Sequence, residues 1–300
     1  MNKWVKRGAV ALLLILIAAG AIVIAGKFMA SSKMSRQIDL NVLAVAPQTD
    51  AAHIERGRYL FRTRGCAECH GADGAGHEVI NSGGMLVVAP NLTAGANGIG
   101  AAYRPEDWVR TIRHGVKPGR QPVMIMPSED YNRLTDDDLG AVIAYIGQLP
   151  PVAGQGSRIV LPLPVQVLYG LGAIEDAAAK IDHSLAPSVP VAIAVSVEHG
   201  AYVANACIGC HGSKLSGGKI PGGPPDWPPA ANLTPGKDSA MPRYPTPQLF
   251  GAMLRSGHRP DGSAISPVMP FGAFRELNDT DVFALHAFLK TVAARDAGQR

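Results

Sequence analysis

The chain has 300 residues, of which 47% are hydrophobic and 6% aromatic, with 28 basic against 24 acidic side chains and a formal charge of +4. Residues 1–36 hold six of the basic residues and no acid, so the remainder carries 22 basic against 24 acidic residues. The excess positive charge therefore belongs to the N-terminus, which excludes the basic surface that a nucleic-acid partner requires. The length suits two ordinary domains.

In chain order, Lys3, Lys6 and Arg7 precede the uncharged run Gly8–Gly26, and Lys27 follows it. Nineteen such residues are just enough for a membrane-spanning helix and long for a signal-peptide core. Retention as an anchor is expected. Cleavage beyond Met29-Ala30-Ser31-Ser32 is the alternative. Positive charge flanks the run almost equally, with Lys27, Lys33 and Arg36 on the far side, so it does not set the orientation. Residues 37–52 read as a tether.

Cys66-Ala67-Glu68-Cys69-His70 comes next, and Cys207-Ile208-Gly209-Cys210-His211 repeats it. C-x-x-C-H is the attachment sequence for c-type haem. Two thiols three positions apart reach the two vinyl groups of one porphyrin as thioethers, and the adjoining histidine stands under the iron. A zinc or redox dithiol site is the rival reading. The trailing histidine in both copies argues against it, as does the use of all four cysteines in these pairs. Two covalently bound haem c groups are expected, one on Cys66, Cys69 and His70, the other on Cys207, Cys210 and His211. The 34 glycines and 24 prolines suit small loop-rich units in which a porphyrin replaces part of the core. Bacteria attach haem c outside the cytoplasmic membrane, so the expected location is the inner membrane, with one N-terminal anchor and the haem units in the periplasm.

The motif belongs to a longer repeat. Asn91-Leu92-Thr93 recurs as Asn232-Leu233-Thr234, Trp108 matches Phe250, Arg113 matches Arg255, Met126-Pro127 matches Met269-Pro270, and Leu134 matches Leu277. Each half opens on a helical Gly-x-Tyr segment, Gly57-Arg58-Tyr59 or Gly200-Ala201-Tyr202. Each closes on a helix with one apolar stripe: Leu139, Val142, Ile143 and Ile146, or Val282, Leu285, His286 and Leu289. Thr135 with Asp138, and Asn278 with Asp281, stand as N-cap and N3, close to a capping box. The expected units are 53–151 and 196–300, joined by a linker at 152–195 in which Leu168–Ile181 is predicted to form a helix.

A c-type haem iron takes a sixth ligand. Of Met85, Met124, Met126, Met241, Met253 and Met269, only Met126 and Met269 correspond under the repeat, and a proline stiffens each. Met124 is the competitor in the first half. Methionine opposite histidine raises the reduction potential. Among the histidines, His77, His114, His258 and His286 have no shared register, and His286 reads as a packed residue. His53 and His199, in the opening helices, are expected in solvent.

Each half resembles a class I cytochrome c. The phrases Pro90-Asn91-Leu92-Thr93, Gly98-Ile99-Gly100, Trp108, Arg113-His114-Gly115 and Met126-Pro127 are similar to cytochrome subunits of bacterial membrane-bound alcohol, aldehyde and gluconate dehydrogenases. Those typically carry three haems, against two motifs here. The resemblance implies a mainly α fold: two tandem haem domains behind one transmembrane helix, each with an exposed haem edge. It also implies that the carbonyl of Pro90 accepts from His70, with Ala231 at the matching place for His211. Arg113 and Arg255 either pair with haem propionates or lie solvated.

The expected function is relay of single electrons from a dehydrogenase or quinol-oxidising complex to an oxidase or soluble cytochrome. With methionine on both irons, no substrate chemistry of the chain's own is expected. The alternative is a dihaem peroxidase or a thiosulfate-oxidising cytochrome, either of which needs an open iron site.

Overall fold

A computed structural model describes residues 2–300. Helix α1 (Lys3–Ser35) takes in the whole uncharged run and continues unbroken through Met29-Ala30-Ser31-Ser32. Its 33 residues span about 50 Å at 1.5 Å per residue. Among the described residues it is the one helix long and apolar enough to cross a membrane. An extended stretch leads to α2 (Ala51–Thr63), whose N-cap Asp50 accepts from the amides of Ala52 and His53. The first half continues with α3 (Cys66–His70), β1 (Glu78–Ser82), β2 (Met85–Val88), α4 (Pro105–His114), α5 (Ser128–Tyr131) and α6 (Asp136–Gln148). β3 (Arg158–Val160), α7 (Leu163–Gly170) and α8 (Ala177–Lys180) follow. The second half has α9 (Val197–Val203), α10 (Ile208–His211), α11 (Pro247–Ser256), α12 (Phe271–Phe274) and α13 (Asp279–Leu289).

The two halves share one packing scheme. The apolar stripes of α6 and α13 are buried, and Thr135 and Asn278 cap them by accepting from the amides of Asp138 and Asp281. α2 crosses α6 at Gly57, and α9 crosses α13 at Gly200. A Cβ at either glycine would lie 2.0 Å from a carbonyl oxygen, that of Ala141 or Ala284, so only glycine permits the approach. Trp108 and Phe250 occupy matching places in the two cores.

A three-stranded antiparallel sheet, β1-β2-β3, is an addition to the helical plan. Gly83 and Gly84, with φ of 57° and 77°, make the two-residue turn that closes its hairpin. The second half has a proline-rich loop there, with a single bridge between Gly218 and Ala230. The predicted linker helix is displaced. α7 starts at Leu163 because Pro162 and Pro164 fit the N-cap and first turn, and it stops at Gly170 ahead of Gly172 at φ 85°. Asp176 then caps the single turn of α8.

The linker is tied to the end of α1. The Arg36 guanidinium donates twice to Asp176, at 2.6 and 2.7 Å, and the Tyr169 hydroxyl donates to the same carboxylate at 2.7 Å. Burial alone would raise the Asp176 carboxyl, but these donors hold it below the ordinary carboxylate range.

Candidate functional site

His70 Nδ1 donates to the carbonyl of Pro90 at 2.9 Å, and His211 Nδ1 donates to that of Ala231 at 2.8 Å. Each neutral ring then keeps its lone pair on Nε2, and its orientation is set by a backbone acceptor. A carbonyl serves equally well from proline or alanine. Burial lowers the pKa of both histidines, which favours that neutral form. The accepting loops are braced by the repeated asparagines. Asn91 donates to Val152 and Ala96, while Asn232 donates to Arg295 and Lys237. Their side-chain oxygens accept from Thr93 and Thr234, both at 2.9 Å. This bracing is the physical reason for the Asn-Leu-Thr repeat.

No two of the four cysteines are joined as a disulfide. Burial pushes Cys66 and Cys207 each up to about 12, and it raises Cys69 and Cys210 as well. Thiols held protonated at neutral pH are poor redox nucleophiles.

In the second half Cys207, Cys210, His211 and Met269 line one cavity of about 280 Å³, walled by Tyr244, Phe250, Leu254, Leu285 and Leu289. Met241 and Met253 line it too. In the first half Met126 packs with Cys66 and Ala67 against the core, as Met269 does with Cys207 and Ile208. Arg64 reaches the second cavity from the first half. Its Nη1 donates to the Val203 carbonyl at 3.0 Å, and its Nε is buried without a partner. An apolar chamber with two thiols, an oriented imidazole, a thioether and one unsatisfied cation fits a haem with its anionic edge.

Residues 52–146 match the family described as cytochrome c oxidase, cbb3-type, subunit III, and residues 197–293 match that described as cytochrome c. Both halves are cytochrome c domains. Such domains imply haem c. The chain is 28% identical to the fructose dehydrogenase cytochrome subunit of Gluconobacter japonicus, a match covering 84% of this chain and 56% of the relative. It is 29% identical to the cytochrome c subunit of the alcohol dehydrogenase (quinone) of Gluconobacter oxydans, over 85% of this chain and 58% of that subunit. It is 26% identical to the gluconate 2-dehydrogenase cytochrome c subunit of Pantoea cypripedii, over 84% and 62%. The chain thus spans about six tenths of the length of these relatives.

Five of the other histidines of the cytochrome c domains are engaged elsewhere. His286 donates from Nε2 to the Tyr244 carbonyl, and His258 from Nδ1 to that of Ser256. His114 lies with Nδ1 3.2 Å from Nδ1 of His183. Burial, with His183 alongside, brings it down to about 4. His53 is half-buried against Asp50. His199 departs from the solvated expectation: it is 1% exposed and bonded through Nε2 to Asp281 at 2.7 Å. The carboxylate that buries it comes from the closing helix, 82 residues away. Arg113 and Arg255 each have a carboxylate partner within their own domain. They pair with Asp136 and Asp279 in the first turns of α6 and α13.

The two domains meet through their attachment helices. The amide of Gly209 donates to Asp130 Oδ1 of α5 at 2.9 Å, and a Cβ on Gly272 of α12 would strike the Glu68 carboxylate of α3 at 1.9 Å. α5 follows Met126-Pro127 directly, and α12 follows Met269-Pro270. Each haem-attachment helix therefore abuts the segment that follows the other domain's methionine. Burial first, then Glu129, pushes the Asp130 carboxyl up to about 7. Arg64 and Asp130 were not legible as site residues, because each acts on the domain to which it does not belong.

Proposed function

We propose that this chain is a membrane-anchored dihaem cytochrome c that relays single electrons on the periplasmic side of a bacterial inner membrane. Its haem domains span 53–151 and 196–300, joined by the linker 152–195. The observation that carries the reading is the mutual abutment of the attachment helices with the other domain's methionine segments, which draws the two haem sites together at one joint.

Haem c supplies a one-electron ferric–ferrous couple when bound. Cys66 and Cys69 would hold it in the first domain, Cys207 and Cys210 in the second. His70 and His211 present Nε2 from rings locked by the Pro90 and Ala231 carbonyls. Met126 and Met269, on loops stiffened by Pro127 and Pro270, would supply a thioether sulfur to the iron, which raises the reduction potential. With an imidazole and a thioether assigned to each iron, the residues would leave no open position for a substrate.

The unbroken α1 and its Arg36 tie to the linker support retention as a single-pass anchor. The relatives are cytochrome subunits of fructose, alcohol and gluconate dehydrogenases. A membrane-bound dehydrogenase of that class, or a quinol-oxidising complex, is accordingly the donor, and an oxidase or soluble cytochrome the acceptor. The test is to mix the purified full chain with a catalytic dehydrogenase subunit stripped of its own cytochrome. Substrate-dependent reduction of both haems is expected. Turnover of peroxide or thiosulfate by the chain alone would overturn the relay.

A further inference from the structure

The uncharged run of α1 ends at Gly26, which with Ala30 forms the buried surface of that helix. α7 is what buries it. A Cβ on Gly26 would meet Val167 Cγ1 at 2.9 Å, and one on Gly170 would meet the Gly26 carbonyl at 2.0 Å. Small residues four apart allow two helix backbones to approach this closely. Lys33 Nζ donates to the Tyr169 carbonyl at 3.1 Å, and the Arg36–Asp176 pair closes the attachment beyond it. α7 is thereby fixed at the level where the apolar run gives way to Lys27 and Lys33.

From Ile159 to Ile174 no side chain is charged. Leu163, Leu168 and Leu171 stay 46%, 45% and 52% exposed. Ile22, Val23 and Met29, which flank the Gly26–Ala30 face of α1, are also exposed, so the apolar surface of the span runs on into that of α7. We propose that α7 is a second membrane contact, seated at the headgroup–acyl boundary with Leu163, Leu168 and Leu171 in lipid. The occupant is lipid because the face is continuous with a membrane-spanning helix and held at the depth of its outer end. Interfacial helices bury their apolar face about 5–10 Å into that boundary. Two contacts, one through the bilayer and one along it, fix the tilt and rotation of the haem domains above the surface. This rests on the anchor reading given above.

The test uses the full haem-loaded chain in phosphatidylcholine–phosphatidylglycerol vesicles that contain a lipid with a diazirine on its acyl chain. After illumination, adducts are expected on the tryptic peptide 159–180 as well as within residues 8–26. Hydroxyl radicals generated in the water phase are expected to spare the three leucines. The pair Leu168→Glu and Leu171→Glu should abolish the adducts on 159–180 while leaving those on α1 and the haem spectrum unchanged. Labelled α1 with unlabelled α7 and oxidised leucines would overturn the proposal. So would leucines that become protected only when a dehydrogenase subunit is added, since the face would then be a protein interface. Absence of labelling on both segments would overturn the anchor reading and the proposal with it.

Discussion

Tyr59 and Asp281 meet across the domain joint: the Tyr59 hydroxyl donates to Asp281 Oδ2 at 2.7 Å and accepts from the amide of Asn278 at 3.2 Å. Tyr202 does the same to Asp138 and Thr135, at 2.6 and 3.3 Å. In an ordinary capping box the N3 acid returns to its own N-cap amide. Here a tyrosine of the other domain takes that amide. The freed aspartates bond to side chains of their own domain instead, Asp138 to Arg56 and Asp281 to His199 Nε2. The joint therefore has an approximate two-fold, and each domain completes the helix start of the other.

Tyr59→Phe and Tyr202→Phe should each weaken this joint. Each leaves a buried carboxylate short of one donor, a loss of about 1.5–3 kcal/mol for a hydrogen bond to a charged group. Denaturant unfolding of the haem-loaded chain measures it, with the haem spectrum unchanged in the folded state. Wild-type midpoints for both variants would show that the tyrosines do not hold the domains together.

Asp130 should make the protein less stable as pH rises. Its carboxyl is raised in the fold, so between its unfolded value near 3.8 and about 7 the folded chain binds the extra proton. Stability contributed by the neutral form is then lost as pH climbs through that window. Asp130→Asn keeps an acceptor for Gly209 and removes the charge. It should stabilise the chain by about 2–4 kcal/mol at pH 8 and by little at pH 4. The same charge lies beside the second attachment helix and favours ferric iron, so the variant should also raise one of two reduction potentials above pH 7. A variant whose pH–stability curve parallels wild type refutes this.

The axial methionines are checked by substitution. Met269→His should remove one of two methionine-to-ferric charge-transfer signals and lower only one potential, because imidazole favours ferric iron. Met126→His should act on the other haem. A spectrum altered by Met124→Ala and untouched by Met126→Ala would reassign the first-domain ligand.

Two haems per chain should appear as two additions in the intact mass of the denatured protein. Cys66→Ala with Cys69→Ala should remove one, and Cys207→Ala with Cys210→Ala the other. Extraction of both haems by acid acetone would contradict thioether attachment.

What could be read from sequence was local or repeated. The attachment motifs, the register linking Met126 to Met269, and the stripes of α6 and α13 depend on residues a few positions apart or on matching between halves. His199 could not be placed, since its burial comes from Asp281 on a distant helix. The hairpin at Gly83-Gly84 was hidden because the second half has no counterpart to reveal it. α7 starts five residues before the expected Leu168, since Pro162 and Pro164 are compatible with a helix start. The Tyr59–Asp281 bond lies between two segments that each looked self-sufficient.

The seating of α3 against α12 and of α10 against α5 also sets an order in time. Thioether formation needs the cysteines reachable, and in the closed joint each pair is partly covered by the opposite domain. Maturation must therefore proceed on an open chain, with closure as the last event. A chain halted with one haem should be cut by protease in the linker 152–195, while the finished protein resists. Equal resistance of the two would show that closure does not wait for the second haem.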